Sequence, residues 1–192
     1  MLLQGLANAS TNLFISKNII SNEQSDIYIY GFEILYSTLF SMSGIMLLAI
    51  IFASWTNGII FLLYFMPIRI FAGGYHASTY GKCFVLTNAV FLITIVFANI
   101  LFLTNNAIRF IILLASLRYI VKYAPIENIN APLSTHKRAM NMLYARRCLF
   151  IECVSMIIWF GLGFNKFILL IIATTVMVSL MMKLANHNKR TL

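Results

Sequence analysis

The amino-acid sequence predicts an all-α, polytopic integral membrane protein. The chain is 61% hydrophobic and only 10% charged, whereas about 25% of the residues in a soluble domain are charged. Several apolar runs approach or exceed the ~17–20 residues that a helix needs to cross a bilayer. We find no series of short alternating strands of the kind that forms a membrane barrel. We therefore predict a single membrane domain, residues 1–192, with about six transmembrane helices and an N-terminal amphipathic helix.

The N-terminal segment, residues 1–22, mixes polar and apolar positions. Its leucines fall roughly on one helical face, which is typical of a helix that lies in the membrane interface. The six predicted spans follow at 27–54, 55–71, 83–103, 107–123, 148–164 and 166–185. The first span is longer than a bilayer requires, so either its first turns lie in the interface or it breaks at Gly31 or Gly44. The second is short, and either a full crossing or a re-entrant segment fits its length.

The basic residues predict the orientation. Six spans place both termini on the same side of the membrane. If that side is the cytoplasm, all of the 14 Lys and Arg residues except Arg109 and Lys166 lie inside or at the inner ends of spans. We predict a multi-pass cell-membrane protein with cytoplasmic N and C termini. The net charge of +9 is then a topology signal, and we predict no nucleic-acid partner.

A polar, glycine-containing stretch at 72–82 interrupts the apolar pattern and contains His76, seven residues before Cys83. A thiol and an imidazole are the components of a cysteine nucleophile with its general base. On one straight helix the two residues would lie ~10.5 Å apart along the axis. Joint action therefore requires the chain to fold back, which Gly73 and Gly74 permit. The alternative is an interfacial histidine near a cysteine that only packs.

A break near Gly81 would place Cys83 in the first turn of the next helix. Free amide groups and the helix dipole at that position favour a thiolate, as does the adjacent Lys82. The other cysteines, Cys148 and Cys153, have neither disulfide nor zinc spacing. We interpret them as packing residues with free thiols.

Glu33 is an acidic residue within an apolar run, and such residues are functional candidates by default. It could orient His76 or form an ion pair with it or with Arg69. The alternative is a carboxylate solvated at a helix end.

The segment 124–147 is predicted as a basic cytoplasmic loop whose second half forms an amphipathic helix. It could cradle an acidic peptide, or it could serve only as a topology signal that attracts anionic lipid. Its candidate substrate-binding residues are Lys137, Arg138, Arg146 and Arg147. We expect Glu152 to pair with one of the last two. The sequence contains no HExxH motif, and we predict neither a metal nor a cofactor.

Two motifs resemble the accessory gene regulator B (AgrB) family of bacterial quorum-sensing peptidases. The first runs from Arg69 through Gly-Gly-Tyr-His-Ala to Cys83. The second is Tyr123-Ala124-Pro125, followed by Asn130-Ala131-Pro132-Leu133. The chain length and the basic loops also agree with that family, so the resemblance covers nearly the whole sequence. The dense lysine run that some relatives carry in the second loop is missing.

The resemblance implies a specific activity. AgrB-like proteins cut a membrane-associated pro-peptide of the AgrD type at the cytoplasmic face. The cysteine matched by Cys83 attacks the peptide bond and releases an acidic tail, with the histidine matched by His76 as the base. A cysteine or serine of the pro-peptide then captures the thioester, which gives a thiolactone or lactone. The resemblance also implies a homodimer. The alternative function is a non-enzymatic transporter or exporter subunit for a small peptide, which six spans would also suit.

Overall fold

A computed structural model describes residues 2–74, 79–127 and 133–190 of the chain, and these residues are almost entirely helical. A short 3-10 turn at Asn22–Gln24 separates the first two helices. The helices are α1 (Leu2–Ser16), α2 (Ser25–Phe52), α3 (Trp55–Ala72), α4 (Tyr80–Phe102), α5 (Asn106–Tyr123), α6 (Thr135–Gly161) and α7 (Asn165–Arg190). The all-α class predicted from the sequence is confirmed.

Within the described residues, four helices are long and apolar enough to cross a membrane: α2 with its preceding turn, α3, α4 and the greater part of α7. The other two long helices are more polar. The 18 residues of α5 include Arg109, Arg118 and Lys122, and the membrane-length part of α6 includes two arginines and Glu152. The structure therefore supports a polytopic membrane protein with four candidate spans, and the six-span count stays a prediction.

The last helix forms the centre of the bundle. In its most apolar stretch 67% of the residues of α7 are buried, against 17% in α2. Helix α7 packs against α3, α4, α5 and α6, and Ile171, Ala173, Val178 and Met182 are fully buried on it. In contrast, α2 is peripheral and exposes many large apolar side chains, a surface suited to lipid.

The N-terminal helix α1 packs lengthwise on α2. The Ser10 and Tyr36 hydroxyls are 2.6 Å apart, and the Phe14 and Phe32 rings meet edge to face. Leu6 and Leu13, which belong to the predicted apolar face, are exposed. Thus α1 packs small side chains against the bundle, whereas Leu6 and Leu13 stay exposed and are available to the apolar part of the membrane, as in an interfacial helix.

Arg109, one of the two cations predicted on the outer side, caps the end of α4. Its guanidinium donates hydrogen bonds to the carbonyl oxygens of Leu101, Phe102 and Thr104 at 2.9, 3.0 and 2.6 Å. The last carbonyls of a helix lack partners within the helix and carry the negative end of its dipole. Arg109 therefore has a local capping role, which explains why a basic residue lies on the predicted outer side of the membrane.

Helix α2 is continuous through both glycines at which the sequence allowed a break. Gly44 instead permits close packing of α2 on α4. A Cβ at position 44 would lie 2.7 Å from Asn88 Oδ1 and 2.9 Å from a ring carbon of Phe84. The glycine therefore sets the distance between the two helices.

We expect Gly44→Ala to lower the stability of the protein by about 1–3 kcal/mol, the usual cost of overpacking. Thermal unfolding in detergent measures this effect. Gly31→Ala, on the same helix, is the matched control, because a Cβ there meets no atom within 4 Å and alanine favours a helix over glycine. Equal melting temperatures for the two variants would contradict the proposed role of Gly44.

Candidate functional site

The chain leaves the helical path where the sequence analysis placed the catalytic loop. Helix α3 ends at Ala72, and Gly73 and Gly74 follow with φ angles of 73° and 134°. These values suit glycine and few other residues. Helix α4 begins at Tyr80, so no single helix joins the two sides of the loop. His76 lies outside the described residues, and its distance from Cys83 stays a prediction.

The break predicted near Gly81 lies earlier in the chain. Thr79 is the N-cap of α4, and its hydroxyl accepts a hydrogen bond from the Lys82 amide at 3.3 Å. The Cys83 amide donates to the Thr79 carbonyl at 2.9 Å. Gly81 is therefore helical, because the helix that Thr79 caps begins at Tyr80. The amides of Tyr80 and Gly81, which have no acceptor within the helix, lie one turn from the thiol.

Arg69 approaches the half-buried Cys83 from the end of α3. Its guanidinium lies close enough to the thiol to interact with it electrostatically, and it extends over the backbone of Gly74. A Cβ at position 74 would overlap Nη1 and lie 3.1 Å from Cζ of this arginine. The second glycine thus opens the space that the guanidinium occupies. A cation in this position is suited to balance negative charge on a reacting sulfur.

Glu33 is hydrogen-bonded to Tyr80, the first residue of α4. The Tyr80 hydroxyl donates to Glu33 Oε2 at 3.0 Å, and among the described residues Glu33 forms no ion pair with Arg69. Pairing with the arginine was one of the alternatives open in the sequence. Glu33 binds Tyr80 instead, because α4 begins next to α2, whereas the Arg69 guanidinium lies over the glycine loop. The pair holds the helix turn that precedes Cys83 to α2.

The two motifs that stand apart in the sequence meet in the fold. The Ile126 amide donates to the Ala72 carbonyl at 2.9 Å, and Gly73 pairs with Ile126 as an isolated parallel bridge. A Cβ at Gly73 would overlap the Ile126 carbonyl oxygen. The segment after α5 therefore lies directly against the glycine loop.

Beside this contact is a cavity of about 290 Å³ with charged walls. Lys122 and Asn186 line it together with Glu127 and Arg138, whose charged groups are 3.5 Å apart. The cavity thus combines two cations and one carboxylate at the same end of the bundle as the glycine loop. An acidic chain segment would find two positive groups there.

The four basic residues predicted as one cradle lie in two places. Residues 135–147 belong to α6 itself, so the predicted basic loop is mostly helix. Arg138 lines the charged cavity, with Lys137 exposed beside it. Arg146 and Arg147 lie farther along α6, where they border a groove with three apolar side chains. Only the first pair is near the segment that follows α5.

Glu152 does not pair with Arg146 or Arg147, contrary to the sequence-based expectation. Its side chain is buried, with 1% exposure, and is hydrogen-bonded to Thr175 on α7. Both arginines are exposed. The reason is helical geometry: at about 100° per residue, positions five and six apart point in different directions. That periodicity was the signal that could have revealed the buried carboxyl.

The accessory gene regulator B family model matches residues 7–182 of the chain. An AgrB-like protein of Clostridium perfringens (strain SM101 / Type A) is 23% identical over 175 residues, which cover 85% of this chain and 82% of the relative. AgrB-like protein 2 of Clostridium perfringens (strain 13 / Type A) is 28% identical over 155 residues, with coverage of 75% and 72%. No solved structure matches the chain significantly. Because the family match spans both motifs and nearly the whole sequence, the chain belongs to the AgrB family of the agr quorum-sensing system.

Proposed function

We propose that the protein is a membrane cysteine endopeptidase that cleaves the C-terminal tail from an AgrD-like pro-peptide and promotes cyclisation of the remainder. The observation that carries this proposal is the arrangement around Cys83. The thiol lies near the start of a helix and within electrostatic range of the Arg69 guanidinium, and the segment that carries the second family motif lies against the adjoining glycine loop. A cation, a sulfur and free helix amides together suit acyl transfer.

In the proposed reaction Cys83 Sγ attacks the carbonyl carbon of the scissile peptide bond. His76 accepts the thiol proton as the C–S bond forms, and then delivers this proton to the departing amine as the C–N bond breaks. The oxyanion that forms between these steps is suited to the free amides at Tyr80 and Gly81, or to Arg69. The products are the released tail and a thioester between Cys83 and the pro-peptide.

Ring closure follows from the same thioester. A cysteine or serine of the bound pro-peptide attacks the acyl carbon, Cys83 leaves as the thiol, and a thiolactone or lactone forms. No ATP is required, because the thioester retains acyl-transfer potential. A tethered nucleophile competes well with water, since holding two groups together raises their effective concentration by several orders of magnitude.

The charged cavity suits the acidic tail of such a substrate. Lys122 and Arg138 supply positive charge, and a substrate carboxylate would compete with Glu127 for Arg138. Arg146 and Arg147 border an apolar groove, which suits a membrane-associated part of the pro-peptide or lipid. Six spans, cytoplasmic termini and a homodimer complete the proposal.

Co-expression with an AgrD-like pro-peptide, followed by mass analysis of the fragments, tests the activity. We expect a free acidic tail and a cyclic remainder. The mass of that remainder should be lower, by one water molecule, than the mass of the same fragment in linear form. Hydroxylamine should release any trapped thioester from the enzyme. A pro-peptide with neutralised tail residues should be cut more slowly, and its cleavage should depend less on salt. A pro-peptide recovered intact in the presence of folded enzyme would contradict the proposal.

A further inference from the structure

Glu152 lies at the centre of the bundle, against Thr175 of α7, and its side chain is only 1% exposed. The Thr175 hydroxyl donates to Glu152 Oε1 and also lies 2.9 Å from the Ile171 carbonyl oxygen, the usual backbone contact of a helical threonine. Among the described residues, this hydroxyl is the side-chain partner of the buried carboxyl group.

The surroundings of Glu152 agree with a neutral side chain. No described Lys, Arg or His on α3, α5, α6 or α7 forms an ion pair with it. Its titratable neighbours are the thiols of Cys148 and Cys153 on its own helix. Its second oxygen, Oε2, is buried and has no hydrogen-bond partner among the described residues. An ionised carboxylate with this environment would lose its hydration without compensation.

The polar groups that continue from this position are neutral. The Ser155 hydroxyl donates to the Glu152 backbone carbonyl at 2.7 Å and accepts from the Tyr64 hydroxyl of α3 at 2.8 Å. The Trp159 indole in turn donates to Tyr64 at 3.1 Å. The three side chains are uncharged, and the hydrogen of each is already donated to an acceptor. None of them therefore supplies a positive charge to balance an ionised carboxyl group.

We propose that Glu152 is a proton-binding site inside the bundle, a neutral carboxylic acid that is hydrogen-bonded to Thr175 through Oε1. The site is independent of the peptidase reaction. It holds α6 to the central helix α7, and α6 also carries Arg138 in the wall of the charged cavity. Loss of the proton would leave a buried charge, so the contact between the helices weakens as pH rises.

Infrared spectroscopy at neutral pH tests this assignment directly. The chain contains only five Asp and Glu residues, so few carboxyl groups contribute to the spectrum. We expect the carbonyl band of a protonated carboxylic acid in the parent protein and its loss in Glu152→Gln. Thr175→Val should shift the band, because the hydrogen-bond partner of the carboxyl group is removed, whereas Thr175→Ser should leave it in place. A spectrum without that band, or a band unaffected by Glu152→Gln, would overturn the proposal.

Stability supplies a second readout. Glutamine is neutral and can accept the hydrogen bond from Thr175, so Glu152→Gln should fold and melt close to the parent, whereas Glu152→Ala should melt lower. The folded parent retains a proton that an exposed glutamate loses above a pH of about 4.3. Its melting temperature should therefore fall relative to that of Glu152→Gln as pH rises from 5 to 9. A glutamine variant that unfolds, or parallel pH profiles, would contradict a neutral carboxyl.

Discussion

Replacing Cys83 with alanine is expected to abolish release of the pro-peptide tail while the protein remains in the membrane. Removal of a catalytic nucleophile lowers turnover by roughly 10⁴-fold or more in cysteine and serine peptidases. The half-buried thiol lies near the start of α4, and alanine is a good helix former, so the fold should tolerate the change. Mass analysis of pro-peptide fragments after co-expression gives the rate.

Cys148→Ala and Cys153→Ala are the matched controls. Both thiols lie on α6 near Glu152 and outside both family motifs, and their removal should leave cleavage close to that of the parent. Cleavage that persists in Cys83→Ala would refute the assignment of the nucleophile. If transport of a small peptide also continued in that variant, the non-enzymatic exporter function would be favoured instead.

Gly74→Ala is expected to reduce tail release by about 10²-fold without removing any catalytic group. A Cβ at this position would overlap the Arg69 guanidinium, and the φ angle of 134° is unfavourable for alanine. The arginine must therefore move away from Cys83 or the loop must change course. A displacement of about 1 Å in a catalytic site can cost this much in rate.

Gly81→Ala is the control for this variant, because it lies in the same region but in helix α4, it keeps the backbone amide, and a Cβ there meets no atom of the described residues within 4 Å. We expect it to cut the pro-peptide nearly as fast as the parent does. Arg69→Ala should reproduce the defect of Gly74→Ala, because both variants remove the guanidinium from the thiol. Full activity of Gly74→Ala would show that the arginine position has no part in the reaction.

Much of this architecture follows from local sequence. Apolar runs of membrane length, turn residues between them and capping residues such as Thr79 and Asn105 predict where helices begin and end. The break predicted near Gly81 lies just before it, because Thr79 caps a helix that begins at Tyr80. Sequence also locates both family motifs, since each is a continuous set of residues that can be recognised without a fold.

Which residues meet across the bundle is a property of the tertiary structure. The bridge from Gly73 to Ile126, the Tyr80 bond to Glu33 and the burial of Glu152 against Thr175 join residues from 23 to 53 positions apart. Local sequence patterns show which residues share one face of a helix. They do not show how the helix is rotated within the bundle or which helices it contacts. Those depend on how all the helices fill the core together, which is why the chemistry of single residues was predictable and their partners were not.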